Sequence, residues 1–501
     1  MSGAEKPTKV SKILRMKAQE FLSSHKYVDN LVDIVKHFDS GADLSACLLS
    51  LELIFMNLLK ERQMFIQIVP LKPVVVTPEL QYKEWLRNIY TECFSKILSC
   101  CETASVKLQV QALSTAMNLI SYEAKYPLET KLNFKSYIPL GKLKAIVIKL
   151  LSMRQNTTHL MQKYEEYFIY NDIIFFMWKI LPSLTAKSNP SEVYIINYLH
   201  LLEKLPVTKN SEFKVICSID EGSTKSNFHF DQPKVKKYLN KIWNCLMLWQ
   251  HSPVTHKHML IVLLERVLTH LDKPLLMTDF LMDSLDVGGP TSLLALQGMF
   301  TMIQVYNLEY PKIFTKLYSM FEPEIFHTKF KARLFYLSDL FLSSTHLPGS
   351  LVAAFAKRLA RLALIAPSED IIIICMFVGN LILRHPGLKC LLNHPSGGST
   401  PEDPYIMDES DPLKSNAINS SLWEIQTLQN HILPSVATAA RFINSPLPSV
   451  EWDFTKILDN SGDDIFDREI KKNSKLIVLA FDRPNSLALN RGERISLHWN
   501  I

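Results

Sequence analysis

Along most of this chain, hydrophobic residues recur at three- and four-residue spacing, in runs of roughly 15–20 residues closed by proline, glycine or polar breaks. That spacing buries one stripe of an α-helix and does not fit the two-residue alternation of a half-buried strand. Phe21, Val28, Leu31, Val32, Ile34, Val35 and Phe38 keep it up to Ser40-Gly41. Asp43 opens a second helix with Leu48, Leu51, Leu53, Ile54, Phe55 and Leu58 as its core face. Pro70, Pro73 and Pro78 mark an irregular connector, and residues 85–101, 105–122, 140–153, 159–180 and 191–205 read as further helices. Only 14 of 501 residues are glycine, which disfavours turn-rich sandwiches and barrels. The segments have the length of helices in HEAT-type and armadillo-type arrays but no strict period. The predicted fold is therefore all-α: an irregular HEAT/armadillo-like helical-repeat solenoid in two blocks.

Composition shifts place the boundaries. Residues 1–206 form N-terminal helical repeats, 207–234 a polar linker, 235–392 a second helical domain, 393–416 an acidic linker, and 417–501 a C-terminal helix and mixed tail. In the second domain, Gly288-Gly289-Pro290, Pro311, Pro348-Gly349-Ser350, Pro367 and Pro386-Gly387 punctuate successive helices. Ser350 and Ser368 are the expected caps of the helices that follow them. Ser420 or Ser421 starts one more helix, through about Leu433. In the tail, residues 476–481 and 495–499 have strand-like composition and predict a short β-ribbon.

Several function classes lose support. The apolar stretches 293–305, 351–366 and 371–383 are shorter than the ~20 residues of a membrane-spanning helix, and Gln297, Gln304, Lys357, Arg358 and Arg361 interrupt the first two. They read as helices buried in protein. A multi-pass protein of the nuclear envelope is the alternative they motivate. The eight cysteines include no C-x-x-C pair, which suggests reduced, buried thiols. No phosphate-binding glycine loop, G-x-S-x-G or H-E-x-x-H is present. His346 and His385 each precede a proline-containing break and read as helix-end residues, without a partnering nucleophile. His256 and His258, with His251, His270 and Cys245 nearby, are the best metal candidates. An H-x-H pair on a helix points its rings apart, so no metal site, catalytic residue or cofactor is expected.

The net charge of +6 permits an RNA or acidic partner without demanding one. Lys357, Arg358 and Arg361 share one helix face opposite Leu351, Phe355, Leu359 and Leu362. Lys329, Lys331 and Arg333 lie one helix earlier. Two basic faces on adjacent helices are the candidate contact for phosphates or a partner; a merely solvated surface is the plainer reading. The same faces motivate an RNA-modifying enzyme as a further alternative.

Between residues 294 and 386 the sequence carries specific strings. They are Leu294-Ala295-Leu296-Gln297-Gly298-Met299-Phe300, Asn307-Leu308-Glu309-Tyr310-Pro311, Lys329-Phe330-Lys331-Ala332-Arg333-Leu334-Phe335, Ser343-Ser344-Thr345-His346-Leu347-Pro348 and Arg384-His385-Pro386. With residues 351–364, and with Trp452-Asp453-Phe454 and Asp464-Ile465-Phe466-Asp467 in the tail, this region resembles the CCAAT-binding-factor domain family of nucleolar complex proteins. The resemblance implies a non-catalytic scaffold of the nucleus and nucleolus, bound to nucleolar protein 14 within the small-subunit processome. It implies a role in 18S rRNA maturation and in assembly and nuclear export of the 40S precursor, with other processome proteins and pre-18S rRNA as further contacts. The family's name suggests DNA binding, but no helix here has groove-reading geometry.

Overall fold

Amphipathic helices this short cannot bury their apolar stripes alone, so each must find a neighbour. The computed structural model describes residues 9–41, 43–66, 77–103, 105–129, 137–209, 214–216, 228–310, 312–393, 402–459 and 461–476. They fall into two units, Met1–Met277 and Thr278–Ile501.

The first unit contains α1 (Lys9–Ser23), α2 (Val28–Asp39), α3 (Leu44–Lys60), α4 (Pro78–Ser99), α5 (Val106–Lys125) and α6 (Leu140–Leu150). It continues with α7 (Thr158–Glu165), α8 (Asn171–Leu184), α9 (Glu192–Lys204), α10 (Gln232–Leu246) and α11 (Pro253–Val262). Odd-numbered helices pack in one row, α1 on α3, α3 on α5, α5 on α7, α7 on α9 and α9 on α11. A second row runs α4 on α6, α6 on α8 and α8 on α10. Two stacked rows of helices sharing one core are the construction of a helical-repeat solenoid.

Local chemistry sets the helix starts. The Asp43 side chain, on a residue with φ of 49°, accepts from the Ala46 N–H. Thr77, Ser191, Asp231 and Ser252 cap α4, α9, α10 and α11 in the same manner. Pro78, expected in the connector, instead occupies the first turn of α4, where a missing N–H leaves no bond unmade. The single helix expected over 159–180 breaks into α7, a 3₁₀ turn (Glu166–Ile169) and α8.

The units divide after Met277 rather than within 207–234. Apolar anchors explain why. Phe228 and Phe230 are buried and meet the Phe175 ring of α8 at 5.8 and 6.0 Å. The Ile216 N–H donates to Asp172 Oδ2 at 2.9 Å. The described parts of that polar stretch thus bind to α8, and α10 and α11 continue the first unit's two rows.

The second unit contains α12 (Thr278–Asp286), α13 (Gly289–Tyr306), α14 (Lys312–Ser319), α15 (Lys331–Phe341), α16 (Gly349–Ala363) and α17 (Ser368–Arg384). After these come α18 (Trp423–Leu428), α19 (Pro434–Ala440), α20 (Phe454–Leu458) and α21 (Gly462–Leu476). α16 and α17 pack on each other at its centre. α16 also meets α18, and α17 meets α19, α20 and α21. Ser350 and Ser368 lie inside the first turns of α16 and α17, and Pro348 and Pro367 hold the cap positions. Asn307, with φ of 51°, closes α13 in the left-handed conformation tolerated by asparagine. The helix expected from Ser420 to about Leu433 is shorter, confined to α18, and α19 opens beyond it at Pro434. No described helix is long and apolar enough to cross a membrane. Pro311, residues 394–401 and the expected ribbon over 477–481 and 495–499 lie outside the described residues, and Leu476 ends α21.

Candidate interaction site

The expected basic face of α16 is turned largely inward, with Lys357 buried and Arg358 and Arg361 half-buried. Leu351, Val352, Ala353, Ala354, Phe355 and Ala356 are all buried, and the Lys357 side chain is 0% exposed. A charge removed from water must be paired. Lys357 Nζ lies 2.8 Å from Asp403 Oδ2 and 2.7 Å from Glu424 Oε1, and donates to the Ser421 carbonyl at 2.6 Å. Arg361 reaches the same two acids, Nη2 to Asp403 Oδ2 at 2.7 Å and Nε to Glu424 Oε1 at 2.8 Å. The Trp423 indole lies over Arg361 at 4.8 Å and donates from Nε1 to Asp403 Oδ2 at 2.9 Å. Arg358 donates to the carbonyls of Phe321 and Met407 at 2.8 and 3.0 Å and sits 4.6 Å above the Tyr318 ring.

This arrangement corrects two expectations. Lys357, Arg358 and Arg361 are consumed within the chain, where they fasten residues 403–424 onto α16. The described part of the acidic segment, 402–416, is correspondingly not a solvated linker. Tyr405 is buried with its hydroxyl 2.7 Å from that of Tyr318, and Ser415 is buried. Of the other basic group, Lys331 pairs with Glu369 and Asp370 at 3.0 Å, at the N-terminus of α17. Arg333 is exposed and donates to Gln297 Oε1 of α13. Lys329 is exposed with no ion partner among the described residues.

The acids of the α16 network respond oppositely to burial. Desolvation raises Asp403, but bonds from Lys357, Ser420 and Trp423 outweigh it and hold the carboxyl well below the ordinary aspartate range. For Glu424, burial outweighs Lys357 and Arg361, and the carboxyl is raised. The unfolded chain therefore takes up a proton at Asp403 more readily than the folded chain, and the stability Asp403 contributes is lost as pH falls below about 4. Glu424 works in the other sense. Asp403→Asn should flatten the loss of stability between about pH 5 and pH 3. Urea unfolding midpoints measured across that range check this, and an unchanged slope would count against it.

A second cluster lies on α17, where the apolar run is interrupted by Gly379 and Asn380. The Asn380 amide pairs with the backbone of Trp452 in both directions, Nδ2 to the carbonyl and Oδ1 from the N–H, each at 3.0 Å. Gly379 lies against the Trp452 ring. Phe454 meets Phe377 at 5.3 Å, and Arg384 bridges Asp339 and Glu451 at 2.7 Å each. The two polar-compatible positions in this run are thus the docking point of the tail string Trp452-Asp453-Phe454.

Beside these clusters, α13, α14 and α15 enclose an open, largely apolar groove of about 640 Å³ lined by Phe300, Ile303, Leu308, Phe314, Leu340 and Leu347. The sequence carries no signal for it, because each of its aromatics also fits a core stripe. Cys47, Cys93, Cys100, Cys101 and Cys375 are buried free thiols, and burial pushes Cys93 and Cys375 up to about 12, so they stay protonated. His346 is exposed, and the buried His385 ring places Nε2 3.1 Å from the Leu342 carbonyl. Of the histidines near Cys245, His251 contacts the Leu246 carbonyl at 3.0 Å, whereas His258 meets His200 and Glu203 of α9.

Comparison with known proteins accounts for both units. The CBF/Mak21 family model matches residues 292–440, from within the first turn of α13 to the end of α19, including the whole α16 network. A second model, described as nucleolar complex protein 4-like TPR repeats, matches residues 3–189. Its helical-repeat character agrees with the two-row stacking, although the expected relatives were HEAT and armadillo arrays. Nucleolar complex protein 4 homolog A of Xenopus laevis is 37% identical, over 97% of this chain and 96% of its own length. Homolog B of the same frog is 36% identical over the same shares, and the Homo sapiens homolog is 31% identical over 98% of each chain. Matched over nearly its whole length, the chain belongs to the nucleolar complex protein 4 family.

Proposed function

We propose that this chain is a non-catalytic scaffold of small ribosomal subunit biogenesis, acting in the nucleolus within the small-subunit processome and in complex with nucleolar protein 14. In this role it supports 18S rRNA maturation and the assembly and nuclear export of the 40S precursor. The observation that carries the reading is similarity to nucleolar complex proteins over almost the whole chain. The second unit supports it chemically. Its strongest charges are spent on fastening its own segments, and the apolar groove of α13, α14 and α15 is left open.

On this reading the groove receives apolar side chains of nucleolar protein 14. Exposed Lys329 and Arg333 are the candidate contacts for its acidic residues or for pre-18S rRNA, and Lys357, Arg358 and Arg361 act only by holding the platform together. The test is recovery of partners with the tagged full-length chain from nucleolar extract. Ile303→Glu should lower co-purification of nucleolar protein 14 by about tenfold, the effect of losing roughly 1.4 kcal/mol at an interface. The pair Lys329→Glu and Arg333→Glu should lower it further, with an unchanged melting temperature. Recovery of no small-subunit precursor component by the unaltered chain would sink the proposal.

A further inference from the structure

We propose that His200, Glu203 and His258 form a binding site for a divalent transition-metal cation of the zinc class, clamping α9 to α11. His200 and Glu203 stand three residues apart and share one face of α9. His258 comes from α11, which packs on α9. The three donor atoms all lie within 4.8 Å of one another. His258 Nε2 is 3.1 Å and His200 Nδ1 is 3.4 Å from the same carboxylate oxygen, Glu203 Oε2. A tetrahedral zinc ion with bonds of about 2.0–2.1 Å separates its ligands by about 3.3–3.4 Å, so the observed spacings need only small side-chain rotations.

The donor set selects the ion. Two imidazoles and one carboxylate suit zinc, and calcium or magnesium would demand an all-oxygen shell. On binding, the metal takes the nitrogen lone pairs, so each ring carries its proton on the nitrogen facing away. The side chains of His200, Glu203 and His258 are 32%, 35% and 18% exposed, which leaves one side open for a water molecule as fourth ligand. The H-x-H pair does not supply the site. The second imidazole and the carboxylate come from more than fifty residues upstream, beyond any local spacing rule.

The test uses the full-length chain stripped with EDTA and titrated with Zn²⁺ against a chromophoric chelator. One equivalent should bind. His200→Ala and His258→Ala should each weaken binding by more than about 100-fold, beyond what loss of an outer-shell partner causes. Glu203→Gln, which keeps shape and hydrogen bonding, should also weaken it, and His270→Ala should not. The Co²⁺ derivative should lack a thiolate charge-transfer band. Binding by the unaltered chain no tighter than by the His200→Ala/His258→Ala double variant would overturn the proposal. So would undiminished binding in Glu203→Gln, or a cobalt–thiolate band.

Discussion

Replacing Lys357 by methionine should destabilise the second unit by about 3–5 kcal/mol, toward the lower figure because Arg361 still reaches both acids. Methionine fills similar volume, so little of the loss is cavity. It comes from leaving Asp403 and buried Glu424 with half their cations and the Ser421 carbonyl without its donor. Adding Glu424→Leu to Lys357→Met should recover much of the loss, since removing both members of a buried pair spares the orphaned charge. Urea unfolding of the full chain, followed by tryptophan fluorescence, measures both. A Lys357→Met variant within about 0.5 kcal/mol of the unaltered chain would mean that the network does not hold the unit together.

That prediction also marks where the sequence stops being readable. The helices were legible because spacing, caps and prolines are local, and the positions of Ser40-Gly41, Asp43 and Gly288-Gly289-Pro290 survive in the structure. The role of Lys357 was not legible. Its spacing with Arg358 and Arg361 is that of any solvated amphipathic face. What removes it from solvent is the return of residues 403–424, which lie 46 or more positions later in the chain. The composition of 393–416 pointed to a loose acidic linker for the same reason: an acid's partner is not written beside it. The boundary after Met277 was hidden because polar residues dominate 207–234, while Phe228 and Phe230 tie its end to α8. His258 joins His200 and Glu203 only because the first unit's odd-numbered helices stack in one row. These misses concern contacts between residues distant in sequence, whereas the local ones, such as the caps expected at Ser350 and Ser368 and the unbroken helix expected over 159–180, only move an end or a break within a helical segment.

Gly379→Ala offers a sharper test, because two known effects compete with opposite sign. In an exposed helix interior, alanine in place of glycine stabilises by roughly 0.5–1 kcal/mol. Here a Cβ on residue 379 would lie 2.5 Å from Cζ3 of Trp452, with Cη2 and Cε3 at 3.1 and 3.3 Å. Two contacts oppose movement of the ring. Both backbone polar groups of Trp452 are tied to Asn380, and Phe442 meets the ring at 6.1 Å. Overpacking of this kind costs about 1–3 kcal/mol, so the clash should win and Gly379→Ala should be destabilising, with Gly379→Leu worse. In a Trp452→Ala background the steric conflict disappears and only the helix preference remains, so the same Gly379→Ala change should become stabilising. A double-mutant cycle read by urea unfolding would show this reversal of sign. Equal effects in the two backgrounds would mean that Trp452 does not dock on α17, and the tail string would then need another explanation for its place in the fold.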